Sequence, residues 1–222
     1  MSATDKFSKS YLSTSTFVSR AYATVEQLNN NEYHLRKGKG TKKLVEEIMP
    51  IAAFLKHFEL PGRKVKCKYF PGNQNYDAKI RVEGEDVRLG FIESEYFLEV
   101  TSAVSSYDYL EREALSHSGS VFSGGKIRRE KSSRKIISEA VAEDYDAPVS
   151  KASEWVIARL KGKANKEMYP QPCILLVQVD PERPLRLREW LTIMENIQSS
   201  VNRDAFTATY LVNTWRNVVL QV

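Results

Sequence analysis

The sequence predicts an α/β domain over residues 41–222, preceded by a helical extension over residues 1–40. Two helical patterns and two kinds of strand pattern lead to this prediction. They are an amphipathic helix over 41–58, short strand-like runs between 65 and 101, a long helix over 148–166 and a continuous apolar run over 173–179. We therefore expect a mixed central sheet flanked by helices, with no internal repeat or linker that divides the domain.

The N-terminal part of the chain is predicted to be helical. Apolar residues recur at helical spacing from Phe17 to Leu28, which indicates a helix over about 14–29. The basic segment 34–40 contains two glycines and is interpreted as a connection. Thr41 is a suitable N-cap for the next helix, and Pro50 is expected to kink or split that helix.

Closely spaced strands are predicted after the turn at Pro61-Gly62. The runs 65–70, 77–82, 86–92 and 96–101 are separated by turn residues, and Glu83-Gly84-Glu85 is typical of a hairpin tip. This pattern predicts an antiparallel meander.

The second half of the chain alternates helices and strands. A short helix over 107–115 and a hairpin over 126–142 precede the long helix, and the run 173–179 reads as a central strand that is covered on both faces. A helix over 185–201 and a hairpin over 205–222 close the chain. Trp155, Trp190 and Trp215 fall on apolar faces, where core packing is favoured over base stacking.

Composition limits the classes of protein to be considered. The chain has 222 residues, of which 42% are hydrophobic and 27% charged, as in ordinary globular proteins. No apolar run reaches the roughly 18 residues that a membrane span needs, and the N-terminus lacks the pattern of a secretory leader, so a cytoplasmic protein is expected. Cys67 and Cys173 lack metal-site spacing and are interpreted as buried thiols. The net charge of +5 permits an anionic partner.

Two carboxylates in strand sequences are the most informative residues. Asp77 begins one predicted strand, and Glu99 lies within the apolar run Tyr96–Thr101. Isolated charges are rare in buried strands, so two of them on neighbouring strands indicate a bound cation. A divalent cation that activates water requires such hard oxygen ligands and a nearby positive group.

This arrangement resembles the PD-(D/E)XK nuclease-like superfamily, which has a restriction-endonuclease-like αβββαβ core. The resemblance rests on the order of elements over residues 41–180, on Asp77, and on the triplet Glu99-Val100-Thr101. It implies Mg²⁺ or Mn²⁺ held by Asp77 and Glu99, with Glu46 or Glu47 of the first core helix as a further ligand. In this family a proline usually precedes the aspartate, and Tyr76 takes its place here.

The most important departure from the family pattern is Thr101, which occupies the position of the lysine in the triplet. A threonine hydroxyl can position a water molecule but brings no positive charge to a phosphate. The basic segment after the triplet suggests Lys163 or Lys166 as the substitute cation. The resemblance thus implies a catalytic set of Asp77, Glu99, Thr101, Lys163 and Lys166.

Other interpretations of the same residues stay open. Asp77 could cap a turn after Asn73-Gln74-Asn75, and Glu99 could pair with Arg81 or Arg88 across the sheet. The expected function is metal-dependent hydrolysis of phosphodiester bonds in nucleic acid, with DNA favoured over RNA. The alternative is a catalytically inactive protein of the same fold that binds nucleic acid or another protein; either reading allows a homodimer.

The predicted hairpin over 126–142 has a strongly basic tip. Six cations lie within ten positions, namely Lys126, Arg128, Arg129, Lys131, Arg134 and Lys135. A β-ribbon of this charge can lie along phosphates, with binding that weakens steeply in salt. Lysines that block pairing at a strand edge are the alternative explanation.

Overall fold

The computed structural model describes residues 4–36, 38–105, 107–121, 127–164, 169–181, 183–200 and 205–222. The first half contains α1 (Asp5–Ser8), β1 (Leu12–Ser13), α2 (Thr14–Glu26), α3 (Asn30–Leu35), α4 (Lys39–Lys43), a π-helical turn (Leu44–Ile48), α5 (Met49–Phe58), β2 (Arg63–Tyr69), β3 (Ala78–Gly84), α6 (Glu85–Arg88) and β4 (Glu95–Ala103). The second half contains α7 (Asp108–Ser118), β5 (Ile127–Arg129), β6 (Ile136–Ser138), α8 (Ala147–Ala164), β7 (Cys173–Val179), α9 (Leu187–Gln198), β8 (Ala208–Asn213) and β9 (Val218–Gln221).

Seven strands form one mixed sheet in the order β1-β2-β3-β4-β7-β8-β9. The pairs from β1 to β4 are antiparallel, β4, β7 and β8 are parallel, and β8 pairs with β9 in antiparallel fashion. The expectation of a mixed central sheet flanked by helices is confirmed. Because β4, β7 and β8 run in the same direction, their carboxyl ends lie at one edge, where α/β proteins usually bind ligands.

Helices cover both faces of the sheet. On one face, α2 and α5 pack against residues such as Leu98 and Leu176. On the other face, α8 and α9 pack against Leu175 and Val177. Strand β7 is buried at every position, which explains its continuous apolar sequence. Cys67 and Cys173 are free and buried, as predicted.

The N-terminal segment packs on the same core as the sheet. Helix α2 matches the predicted helix over about 14–29, and Leu12 of β1 pairs with Cys67. The expectation of a plain connection over 34–40 was wrong, because α3 and α4 occupy most of that segment. The predicted N-cap at Thr41 was also wrong: Gly38 precedes α4, and Thr41 lies inside the helix.

Pro50 coincides with a change in the helix, as its sequence position predicts. A proline at position 50 cannot donate a hydrogen bond to the carbonyl of Glu46. The backbone widens just before it, where the N–H of Met49 donates to the oxygen of Leu44, five residues earlier. Single π-helical turns of this kind are often found at functional sites, and this one carries both Glu46 and Glu47.

The prediction of a strand over 86–92 and of a hairpin tip at Glu83-Gly84-Glu85 was wrong. Residues Glu85–Arg88 form α6, and β3 pairs directly with β4. Gly84 does not form a hairpin tip but allows its backbone to lie close to that of Gly62. Its φ is 151°, and a Cβ at this position would lie 2.3 Å from the carbonyl oxygen of Gly62. Val87 and Ile92 pack against the core from the β3–β4 connection.

The predicted elements of the second half are present. They are α7, the short two-stranded sheet of β5 and β6, α8, β7, α9 and the closing pair of β8 and β9. Trp190 is buried and Trp155 partly buried, as predicted, but Trp215 is 57% exposed, against the expectation of core packing. None of the helices within the described ranges is long and apolar enough to cross a bilayer.

Candidate active site

Asp77 lies directly against the backbone that flanks Glu99. Its N–H donates to the carbonyl oxygen of Leu98 over 2.8 Å, and its Oδ2 accepts from the N–H of Val100 over 2.8 Å. Asp77 thus bonds to the residues on both sides of Glu99 in β4. The antiparallel pairing of β3 with β4 brings these two carboxylates side by side, as the sequence predicted.

Glu99 is buried and pairs with a lysine from the opposite layer. Lys163, near the end of α8, donates to Oε1 of Glu99. The side chain of Glu99 is 10% exposed and that of Lys163 is 18% exposed. A cation from the helix therefore lies at the carboxylate that begins the Glu99-Val100-Thr101 triplet.

Glu47 joins the two strand carboxylates from the π-helical turn. The hydroxyl of Tyr69 in β2 donates to Oε2 of Glu47, and the Nζ of Lys43 lies 3.9 Å from the same oxygen. Burial raises the pKa of Glu47, and the charges of Glu46 and Glu99 raise it further. We call Glu47, Asp77, Glu99 and Lys163 the carboxylate–lysine cluster.

Glu46 is directed to a different set of partners. Its Oε1 accepts from Arg36 over 2.7 Å, and its Oε2 lies 3.9 Å from Lys42. Of the two glutamates that the resemblance left open, Glu47 is therefore the one that interacts with Asp77 and Glu99.

The cluster carries an excess of buried negative charge. Burial raises the pKa of Asp77 to about 7, and the charges of Glu99 and then Glu47 act in the same direction. The hydrogen bond from Val100 and the charge of Lys163 oppose this shift without cancelling it. A site that disfavours the ionised form of its own carboxylate is one that an added cation would stabilise.

Asp77→Asn is expected to stabilise the metal-free protein above neutral pH. Because the pKa of Asp77 is raised above its ordinary 3.8, the folded chain favours the protonated carboxyl. The free energy of unfolding therefore falls as the pH rises from about 4 to about 7. Asparagine does not titrate, so Asp77→Asn is free of this loss of stability. The free energy of unfolding of the variant, relative to that of the unmodified chain, should rise by about 2 kcal/mol between about pH 5 and about pH 8, as measured by urea unfolding in EDTA.

Glu93→Gln is the matched control for that measurement, because Glu93 is an exposed carboxylate in the β3–β4 connection. Its stability relative to the unmodified chain should be the same at both pH values. If the difference in unfolding free energy between Asp77→Asn and the unmodified chain does not change with pH, the raised pKa of Asp77 is contradicted.

A basic cleft of about 530 Å³ adjoins the cluster. Glu47 and Thr101 line it, and so does Arg159, which lies four residues before Lys163 and hence on the same side of α8. Its cations are Arg36, Lys42, Arg112 and Arg159, and its carboxylates are Glu46, Glu47 and Asp108. Arg36 and Lys42 pair with Glu46, and Arg112 pairs with Asp108. Arg159 is exposed and has no acidic partner among the described residues. The cleft can therefore accept an anion beside the carboxylates.

The donor chemistry of the cluster suits a hard divalent cation. Three carboxylates supply the oxygen ligands that Mg²⁺ and Mn²⁺ prefer. In the arrangement described, each carboxylate is instead bonded to a protein donor, and no group of three acidic, histidine or cysteine side chains within the described ranges has the geometry to hold one ion. These bonds use one oxygen of each carboxylate, namely Oε2 of Glu47, Oδ2 of Asp77 and Oε1 of Glu99, so coordination of one ion by all three would require the side chains to reorient.

The other interpretations of Asp77 and Glu99 were wrong in detail. Arg81 pairs with Glu95 over 2.9 Å, and Arg88 lies 3.6 Å from Glu85, so neither binds Glu99. The side chain of Asp77 accepts from the neighbouring strand and does not cap the turn after Asn73.

Lys166 and Lys126 lie outside the described residues. The remaining basic residues of the hairpin, Arg128, Arg129, Lys131, Arg134 and Lys135, are exposed. Two of them have acidic partners: Arg129 pairs with Glu113 over 2.6 Å, and Arg128 lies 3.7 Å from Glu139. The ribbon is therefore tied to α7 at one arginine while its tip stays open to solvent.

Three residues at the site were not singled out as functional from the sequence. The sequence predicted Tyr69 only as part of the strand over 65–70 and Arg159 only as part of the helix over 148–166. Spacing could have revealed Arg159, because it precedes Lys163 by one helical turn. Burial and then the charge of Glu99 raise the pKa of Tyr169, and the buried hydroxyl of Tyr169 has no hydrogen-bond partner among the residues that the structure describes. No local pattern in the sequence indicates this.

The fold and the site define an α/β protein with a buried carboxylate–lysine cluster beside a basic cleft. Comparison of the chain with family models, with curated proteins and with solved structures finds no match. The residues of the site and their geometry are therefore the basis for inferring its function.

Proposed function

We propose that this chain is a nuclease with a restriction-endonuclease-like core that hydrolyses phosphodiester bonds in nucleic acid with the help of Mg²⁺ or Mn²⁺. The observation that carries the proposal is the bond from Lys163 to Glu99, with Asp77 and Glu47 beside it. This lysine supplies the positive charge that Thr101 cannot supply.

The order of elements supports the proposed fold family. The π-helical turn with α5, the strands β2, β3 and β4, then α8 and β7 follow the order αβββαβ. The parallel pairing of β4 with β7 after the α8 crossover gives the mixed sheet that this core requires. A fold alone does not determine function, so the chemistry must come from the cluster.

Glu47, Asp77 and Glu99 would hold the cation. When bound, it would polarise the phosphate and lower the pKa of a water molecule. The raised pKa of Asp77 supports this assignment, because relief of the repulsion among three buried carboxylates favours cation binding.

The other residues of the site have distinct roles in the proposal. Lys163 supplies positive charge near the scissile phosphate, where negative charge develops in the transition state. Thr101 lies two residues after Glu99 and lines the basic cleft, where its hydroxyl can position a water molecule. Arg159 binds a neighbouring phosphate of the strand.

The test is an assay of the purified full chain with single-stranded DNA, duplex DNA and RNA in Mg²⁺, in Mn²⁺ and in EDTA. We expect cleavage only when a metal is present. Either metal alone should also raise the melting temperature, because a ligand that binds the folded state stabilises it by mass action. Absence of both cleavage and metal stabilisation would contradict the proposal.

A catalytically inactive protein of the same fold is the second candidate. The observation that favours it is that Glu47, Asp77 and Glu99 are each already bonded to a protein donor. This candidate predicts salt-sensitive binding of nucleic acid, or docking of a partner protein, without cleavage and without stabilisation by metal.

A further inference from the structure

A second concavity of about 500 Å³ lies beside the basic cleft. Its floor is mainly apolar and includes Leu115, Leu185, Trp190 and Trp215. We call it the apolar pocket. Its volume is within the range of about 300–1,000 Å³ that is typical of sites for small organic groups.

The two concavities share a wall on α7. Asp108 and Arg112 line both of them and pair with each other over 2.8 Å. Residues at the carboxyl ends of the parallel strands line them too: Thr101 near the end of β4 lines the cleft, and Asp180 after β7 lines the pocket. A chain that leaves the cleft across α7 therefore enters the apolar pocket.

Trp215 presents an aromatic surface in this pocket. It lies in the turn between β8 and β9 and is 57% exposed. The ring of Tyr33 packs almost perpendicular to the indole, with centroids 5.7 Å apart and an interplanar angle of 83°. This contact orients the indole while more than half of the residue stays accessible.

Arginines and carboxylates line the pocket in equal number. The arginines are Arg112, Arg183 and Arg216, and the carboxylates are Asp108, Glu111 and Asp180. Arg183 is held by two bonds to Glu189, of 3.1 and 2.6 Å, whereas Arg216 is exposed and has no acidic partner within the described ranges. An exposed indole in a largely apolar pocket, with Arg216 beside it, matches a base that carries a phosphate.

We infer that an unpaired base of a nucleic-acid strand stacks on Trp215 in the apolar pocket while the adjoining backbone lies in the basic cleft. The inference rests on the proposed function, since it assumes that the cleft takes nucleic acid. It defines the substrate class as single-stranded nucleic acid, because a paired base inside a duplex cannot reach a pocket of this kind.

The test compares oligothymidylate, oligouridylate and a blunt DNA duplex in EDTA, so that binding is measured without cleavage. Both single strands should quench tryptophan fluorescence, and Trp215→Phe should remove most of that quench while it largely retains affinity. Trp215→Ala should weaken single-strand binding about 5- to 150-fold, as expected for one lost stack. Binding of the duplex should change little.

Phe91→Ala is the matched control, because Phe91 is 75% exposed and lines neither concavity. It should bind all three probes as the unmodified chain does. Single-strand binding that Trp215→Ala leaves unchanged, or absence of single-strand binding, would overturn the inference.

The outcome of this test can be separated from that of the proposed function. Cleavage in Mg²⁺ with no effect of Trp215→Ala on single-strand binding would overturn only the role of the pocket. Trp215-dependent binding without cleavage in either metal would support the pocket and remove the nuclease assignment.

Discussion

Glu99→Gln is expected to reduce metal-dependent cleavage at least about 1,000-fold, because Lewis-acid stabilisation of the transition state is worth several kcal/mol. Glutamine retains the shape of the side chain but not the charge that holds the cation. Asp77→Asn should have an effect of the same order, since both carboxylates belong to one site. The measurement is the initial rate of cleavage of single-stranded DNA at saturating Mg²⁺.

Glu95→Gln is the matched control on the same strand. Glu95 begins β4 and forms ion pairs with Lys79 and Arg81 at the surface, away from the cluster. Its substitution should leave the cleavage rate within about twofold, because surface ion pairs contribute little. Persistent cleavage in either Glu99→Gln or Asp77→Asn would remove the assignment of these carboxylates.

Lys163→Met is expected to reduce cleavage about 100- to 1,000-fold, the usual cost of losing one group that stabilises transition-state charge. The same change leaves the buried carboxylate of Glu99 without its cation. Removal of one partner of such a pair costs about 2–3 kcal/mol of unfolding free energy at this degree of burial. Lys161→Met, at an exposed position on the same helix, should change neither quantity.

The double variant Lys163→Met with Thr101→Lys gives the sharper form of this test. Thr101 follows Glu99 by two residues in β4, so their side chains lie on the same face of the strand. The double variant should cleave at least about tenfold faster than Lys163→Met alone, because the new lysine returns a positive charge to the same carboxylate. If Lys163→Met cleaves at the unmodified rate, the helix does not supply the cation.

Lys163 can supply the charge that the nuclease-like pattern places at position 101, where this chain has Thr101. A strand lysine and a helix lysine can both place an ammonium group at Glu99, because α8 packs on the face of the sheet toward which Glu99 points. What matters for chemistry is where the charge lies, not which element carries it. The threonine therefore does not by itself decide against catalysis.

Local patterns in the sequence predicted most of the elements. The helical period predicted α2, α5 and α8, and the continuous apolar run predicted β7 as a strand covered on both faces. These predictions succeeded because a repeating apolar face must be buried whatever the partner. Asp77 and Glu99 were also found this way, since charges within strand patterns are rare.

Prediction from local patterns failed for short segments whose conformation or burial depends on contacts with distant residues. The run 86–92 has strand-like composition, but Glu85–Arg88 is helical, and Val87 packs against the core from a connection. Trp215 was placed on a predicted apolar face and so assigned to the core, yet the turn between β8 and β9 leaves it exposed. Short apolar runs do not distinguish these cases.

The sequence by itself determined the periods of the helices and strands, the two strand carboxylates and the absence of a lysine at position 101. Only the tertiary structure decided that Glu47 and not Glu46 joins Asp77, that Lys163 bonds to Glu99, and that the apolar pocket adjoins the basic cleft. The reason is that contacts between residues far apart in the chain depend on strand register and helix packing, which local patterns do not encode.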